Sequence, residues 1–150
     1  MSSISTSATI YAPANHIFAL ARATERWPVL LPHYRFVRVI SRNGDEKTIE
    51  MAARRGIFPV RWTAVQRDDA STPAIYFQHT AGWTKGMEVV WRFEERNGRT
   101  DVSIVHDIAF DFPIARAAIE KHLVGKFFID GIASQTLARI KELAEDGNHA

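Results

Sequence analysis

The sequence contains no cysteine among its 150 residues. Disulfide bonds and thiol chemistry are therefore excluded, and the absence fits a reducing compartment. The start of the chain lacks the basic region and apolar core of a signal peptide, and no apolar run approaches the length that spans a bilayer. We therefore expect a cytoplasmic protein that does not insert stably into a membrane.

The short motifs of several enzyme classes are also missing. The sequence has no Gly-x-Ser-x-Gly, no Gly-x-Gly-x-x-Gly, no P-loop and no His-Glu-x-x-His. Its formal charge is only +2, and Arg54-Arg55 is the one adjacent basic pair, so no nucleic-acid surface is predicted. His79, His106 and His122 lie far apart along the chain with no inward carboxylate nearby, so no metal site is predicted either.

The C-terminal part of the chain carries a strong helical signal over residues 113–145. Apolar residues recur there at a spacing near 3.6, from Ile129 through Leu137 to Ala144. Between residues 119 and 129 the stripe changes character, because its inward positions are His122, Gly125 and Lys126. Two interpretations remain open: the interruption forms the roof of a cavity, or the helix kinks or breaks there.

The rest of the chain predicts strands. A strand over 3–11 precedes a short helix that opens at Pro13, and residues 24–34 form an apolar loop or helical turn. Period-two patterns then predict six strands, bounded by turn signals such as Asn97-Gly98: 35–42, 46–55, 58–68, 74–81, 86–96 and 99–111. The length fits one domain, residues 1–150, in which an antiparallel meander of seven strands is covered by the C-terminal helix.

Strand alternation predicts which side chains face that helix. Aromatic and aliphatic residues dominate this face, but four polar side chains also occupy inward positions. Gln66, His79 and His106 are on the strands, and His122 is on the helix itself. One interpretation is an ordinary apolar core; the other is a small-molecule pocket, because burying unpartnered polar groups is costly and a ligand or water would satisfy them.

Seven segments, in order along nearly the whole chain, resemble the START-like (helix-grip, SRPBCC) superfamily and its polyketide cyclase/dehydrase (aromatase/cyclase) branch. They are Ala12-Pro13-Ala14, Arg26-Trp27-Pro28, Pro32-His33-Tyr34, Arg61-Trp62-Thr63, 82–91, 102–106 and 132–137. The resemblance implies an α+β helix-grip fold: a curved, seven-stranded antiparallel sheet wrapped around a long C-terminal helix, with two short helices after the first strand. It also implies a cavity in which a poly-β-ketone chain undergoes aldol cyclisation and dehydration without a cofactor.

The resemblance and the strand pattern together give candidate site residues. Three are catalytic candidates: His79, His106 and Arg67, the last facing inward only if a bulge shifts its strand. The predicted ligand-binding residues are Trp27, Leu31, Tyr34, Trp62, Phe77, Trp83, Met87, Trp91, Phe110, His122 and Phe128.

Three functional hypotheses follow. The chain is a polyketide cyclase or aromatase, a non-catalytic carrier of a lipid or of an isoprenoid such as coenzyme Q, or a structural or partner-binding domain with a filled core. The first two predict a hydrophobic small molecule as the partner. Val124 and Phe127 fall outside the apolar stripe, and they either pack under the N-terminal helices or form a homodimer surface.

Overall fold

A computed structural model describes residues 2–82, 84–108, 129 and 131–147 of the chain. The helices are α1 (Ala14–Arg22), a 3-10 turn (Thr24–Arg26), α2 (Trp27–Leu30) and α3 (Ser134–Gly147). The strands are β1 (Ser2–Ile10), β2 (Tyr34–Asn43), β3 (Glu46–Arg55), β4 (Phe58–Asp69), β5 (Ala74–Gly82), β6 (Glu88–Arg96) and β7 (Arg99–Ile108). Two short helices after the first strand are therefore confirmed, and the strands agree with the predicted ones to within a few residues at each end.

The seven strands form one antiparallel sheet in the order β1-β7-β6-β5-β4-β3-β2. The predicted meander is confirmed for β2 to β7. It is wrong for β1, which pairs with β7 at the far side of the sheet, Ile4 opposite His106. The segment of α1 and α2 separates β1 from β2 and lets the chain cross the sheet, so the rule that neighbouring strands pair does not apply there.

The β6–β7 turn has the chemistry that its sequence predicts. Asn97 and Gly98 adopt φ values of 52° and 80°, as the two central residues of a type I′ hairpin turn require. The turn keeps Arg96 opposite Arg99 and thereby sets the register of both strands. Val89 is consequently placed opposite His106.

The inner face of the sheet and the stripe of α3 form the core. Met87, just before β6, and alternate residues of β6 from Val89 to Phe93 are buried, as are Val102, Ile104 and His106 of β7. Ile129 and Ile132 are also buried, as are three residues of α3: Leu137, Ile140 and Ala144. The helix-grip class is confirmed, while the predicted start of the long helix near residue 113 and the interruption around Gly125 lie outside the described residues.

Polar contacts hold the segment of α1 and α2 against the sheet. The buried Lys47 ammonium on β3 pairs with the Glu25 carboxylate in the 3-10 turn. Burial works to raise the pKa of Glu25, but hydrogen bonds from Lys47 and Arg42 bring it down to about 2.

Within the described part of the chain, no helix combines the length and apolar character needed to cross a membrane.

Candidate active site

A cavity of about 40 Å³ lies between the inner face of the sheet and the segment that leads into α3. Its walls are aromatic and aliphatic, with four residues that carry polar groups: Tyr34, His79, His106 and Thr136. The described lining residues are Trp27, Tyr34, Met51, Trp62, Phe77, His79, Val89, Trp91, Ile104, His106, Ile132, Ala133 and Thr136.

Trp27 holds the aromatic wall together. Its ring centroid lies 5.0 Å from that of Tyr34, 6.1 Å from Trp91 and 6.5 Å from Phe77. Edge-to-face and tilted contacts of this kind each contribute about 0.5–1.5 kcal/mol beyond area burial. The short helix α2 therefore brings one indole into contact with side chains of three strands, β2, β5 and β6.

His79, on β5, is held on two sides. Its ring stacks on Trp62 with a centroid distance of 5.8 Å and an interplanar angle of 8°. Its Nδ1 lies 2.5 Å from the buried Thr84 Oγ1. The turn that supplies Thr84 is anchored to the same strand, because the His79 and Gly86 backbone N–H groups donate to the Met87 and His79 carbonyls, both at 2.9 Å. The Thr84 hydroxyl and the Trp62 indole therefore set the orientation of the His79 ring.

Two buried histidines remain neutral in this environment. His79 is 4% exposed and His106 is 2% exposed. Desolvation lowers the pKa of His79 to about 3, and the like charge that His106 carries when it is protonated acts in the same direction. Desolvation lowers the pKa of His106 to about 4, although a hydrogen bond with the Ile4 backbone works in the opposite direction. At neutral pH each imidazole carries one proton and can act as an acceptor.

Tyr34 places a phenol in the same cavity. Its hydroxyl lies 3.4 Å from Thr136 Oγ1, which also lies 2.9 Å from His33 Nε2 and donates to the Ile132 carbonyl at 2.8 Å. Burial raises the pKa of the Tyr34 phenol, and the hydrogen bond with Thr136 opposes this only in part. Tyr34 therefore stays protonated at neutral pH and can donate a hydrogen bond into the cavity.

Gln66 faces inward as predicted but does not line the cavity. Its side-chain oxygen accepts from Thr24 Oγ1 at 2.7 Å, and its Nε2 donates to the Arg22 carbonyl at 2.9 Å and to Asp68 at 2.8 Å. The amide is satisfied by the C-terminal end of α1. One of the four polar groups used to predict a ligand is thus structural.

Arg67 lies on the opposite face of the sheet from the cavity. Its guanidinium stacks over the Tyr76 ring at 4.2 Å from the centroid. The bulge that would turn it inward is absent from this part of β4, where pairing with β3 is continuous from Trp62 to Arg67. The inward position that its catalytic assignment needs is therefore not found.

The other predicted ligand-binding residues divide into three groups. Five line the cavity: Trp27, Tyr34, Trp62, Phe77 and Trp91. Leu31 and Met87 are fully buried but are not among its lining residues. Trp83, Phe110, His122 and Phe128 lie outside the described residues. For every one of these residues, ligand binding remains a prediction.

The sequence interpretation missed several lining residues. Met51 lines the cavity from β3, and alternation on that strand was the available signal. Thr136 occupies an inward helical position that the stripe of apolar residues passes over, because a threonine does not register as apolar. Thr84 gave no signal, since its contact with His79 depends on a turn.

The size of the cavity limits what it holds in this conformation. Its volume of about 40 Å³ has room for two or three water molecules, whereas ligand pockets usually occupy about 300–1,000 Å³. The described residues therefore provide the chemical groups of a site, and a larger guest requires displacement of its walls.

Comparison with known proteins identifies the fold and the family. The Zhui aromatase/cyclase from Streptomyces sp. R1128 superposes with a TM-score of 0.83 at 13% identity, covering 96% of this chain and 93% of that one. A protein from Thermus thermophilus gives a TM-score of 0.80 at 20% identity, covering 97% of this chain and 99% of that one. At such identities these likenesses concern the fold alone.

A curated relative is the granaticin polyketide synthase bifunctional cyclase/dehydratase of Streptomyces violaceoruber. It is 28% identical, and the match covers 93% of this chain but only 43% of the relative. The family described as polyketide cyclase/dehydrase and lipid transport matches residues 10–128. This chain therefore belongs to the polyketide cyclase/dehydrase and lipid transport family.

Proposed function

We propose that this chain catalyses the cofactor-free cyclisation and dehydration of a poly-β-ketone chain in the cavity between the sheet and α3. The observation that carries the proposal is the convergence of two neutral histidines and a protonated phenol on one apolar cavity. Aldol chemistry needs these two kinds of group: a base for a carbon acid and a donor for the oxygen that becomes negative.

In the proposed first step, a histidine imidazole takes a proton from the carbon between two ketones. The C–H electron pair becomes an enolate whose oxygen accepts a hydrogen bond from the Tyr34 hydroxyl. Nδ1 of His79 is engaged with Thr84, so proton exchange at this ring would pass through Nε2. The imidazole is a weak base while it is desolvated, but negative charge developing beside it stabilises its protonated form.

In the second step, the enolate carbon attacks a distant ketone of the same chain and forms the new carbon–carbon bond. The resulting alkoxide takes the proton back from the histidinium and becomes a hydroxyl group, which returns the histidine to its neutral form. The same histidine then removes a second α-proton and passes it to the departing hydroxyl, so that water is released, a carbon–carbon double bond forms and the imidazole is neutral again. The apolar walls hold the chain in the bent conformation that brings the two carbons together.

Three cavity tryptophans supply a binding assay. Trp27, Trp62 and Trp91 line the cavity, so a conjugated aromatic polyketide that enters it should quench their fluorescence. The cavity must enlarge to hold such a ligand. Native mass spectrometry is the second assay, because it detects a ligand that stays bound to the protein. Absence of both signals with a panel of aromatic polyketides would refute a ligand site.

Turnover of a synthetic poly-β-ketone thioester then tests catalysis. We expect His79→Asn, His106→Asn or Tyr34→Phe to lower kcat by about 10²-fold or more where the residue acts directly, the contribution typical of a positioned acid or base. Exposed His16→Asn is the matched control and should leave kcat unchanged. If all three cavity variants turn over like an active wild type, the roles given to these side chains are wrong. If the wild type binds the thioester without turning it over, the chain is a carrier and the catalytic proposal is wrong.

A further inference from the structure

The turn between β3 and β4 presents two large apolar side chains to solvent. Ile57 is 88% exposed and Phe58 is 59% exposed, at the end of a hairpin closed by Gly56 with φ of 59°. Adjacent exposed apolar groups of this size are typical of an interaction site.

The end of the same hairpin nearest the turn is basic, whereas its far end carries Glu46, Glu50, Asp68 and Asp69. Residues 51–67 contain four arginines and no acidic residue, although the whole chain carries a formal charge of only +2. Arg54, Arg55 and Arg61 are exposed on this part of the hairpin, and the Arg61 guanidinium lies 5.3 Å from the centroid of the Phe36 ring on β2. We refer to residues 54–61 as the hairpin tip. The hairpin tip therefore combines two exposed apolar side chains with three arginines.

The hairpin tip is connected to the cavity wall. The Arg54 backbone N–H donates to the His33 carbonyl at 2.9 Å, in the loop that leads to Tyr34. The Arg55 side chain packs over Gly131, immediately before the cavity residue Ile132. Ile57 lies five residues from Trp62 of the cavity, roughly 16 Å along an extended strand.

We propose that the hairpin tip binds the surface of an anionic lipid bilayer, with Ile57 and Phe58 entering the interfacial layer and the arginines contacting the headgroups. Charge complementarity favours an anionic partner. A stable protein interface requires about 800 Å² on each partner, far more than two side chains supply, whereas a bilayer accepts a protruding end without a complementary shape. Such docking would place the cavity within one strand length of a reservoir of apolar ligands.

Vesicle co-sedimentation of the intact chain tests this. We expect binding to phosphatidylcholine vesicles containing phosphatidylglycerol, little binding to pure phosphatidylcholine, and weaker binding at about 1 M salt, where charges are screened within about 3 Å. The paired change Arg54→Gln with Arg61→Gln should weaken binding about 25-fold. The paired change Ile57→Ser with Phe58→Ser should weaken it at least about tenfold.

Ile40→Ser is the matched control, because Ile40 is 60% exposed on β2. Circular dichroism and thermal unfolding establish that each variant is folded. The proposal is overturned if the wild type does not bind anionic vesicles, or if Ile40→Ser weakens binding as much as the hairpin-tip variants. It is equally overturned if sedimentation velocity shows that the tip mediates self-association, lost in the Ile57 and Phe58 variant, in place of vesicle binding.

Discussion

Acidification from pH 8 to pH 5 should destabilise this protein mainly through two residues, His79 and His106. In the unfolded chain a histidine has a pKa near 6.5, while in the folded protein burial lowers the pKa of His79 to about 3 and of His106 to about 4. The unfolded state therefore takes up protons first as the pH falls below 6.5. Stability contributed by the neutral imidazoles is fully present above pH 6.5 and is lost progressively below it.

The expected magnitude follows from these values. At pH 5 both histidines are still neutral in the folded protein, so each lowers the free energy of unfolding by about 1.5 pH units times 1.36 kcal/mol, or about 2 kcal/mol. Together they remove about 4 kcal/mol, and burial lowers the pKa of His33 in the same direction. Because small domains are stable by only about 5–15 kcal/mol, this is a large fraction of the total.

Urea unfolding at pH 8, 7, 6 and 5 measures this loss. His79→Asn or His106→Asn should each remove about 2 kcal/mol of the pH dependence, whatever it does to stability at pH 8. Exposed His16→Asn should leave the dependence intact. Carboxylates such as Glu25, with a pKa of about 2, contribute mainly below pH 4.5 and do not confuse this range. Equal stability at pH 8 and pH 5, or NMR titration of either buried ring near pH 6.5 in the folded protein, would refute the reasoning.

Two further predictions concern the connection from β5 to β6. Gly82→Ala should destabilise the fold by about 2–4 kcal/mol, because the φ of Gly82 is 96° and the added Cβ would lie 2.6 Å from the Arg61 carbonyl oxygen. Gly44→Ala is the control and should cost only about 1–2 kcal/mol, because Gly44 has a φ of 64° but its added Cβ would have nothing within 4 Å. Equal shifts in melting temperature for the two variants would contradict this account. Thr84→Val should change the tautomer balance of His79, measured by ¹⁵N NMR without substrate, and should lower kcat more than it raises KM. Thr84→Ser keeps the hydroxyl and should restore both the His79 spectrum and the kinetics. An unchanged His79 spectrum in Thr84→Val would mean that the hydroxyl does not orient the ring.

Period-two alternation was enough to place the inward histidines. His79 and His106 share parity with Phe77 and Ile104 on their strands, and their burial follows from that parity alone. The same rule placed Gln66 inward but could not identify its partners. Two of them, Arg22 at the end of α1 and Thr24 just after it, lie more than forty residues earlier, and only the folded chain brings them to Gln66.

Features that depend on contacts distant in sequence could not be predicted for a related reason. No local pattern states that β1 pairs with β7, because pairing depends on where the intervening chain travels. Arg67 and Gln66 differ by one position, so the presence or absence of a bulge decides which of the two faces inward, and the sequence does not report that β4 has no bulge against β3 there. Cavity volume depends on how closely the side chains interlock, and residue types alone do not report this.

Pairing of β1 with β7 has a consequence for how the chain is made. Ser2 pairs with Ile108 and Ile10 with Thr100, so β1 leaves the ribosome before the other six strands of this sheet and waits for a partner about a hundred residues later. Contacts of such sequence separation slow folding. Meanwhile the nascent strand alternates apolar residues with Ser3, Ser5 and Ser7, which are exposed in the finished sheet. The serine side chains of β1 would then reduce the tendency of the unpaired strand to aggregate during translation.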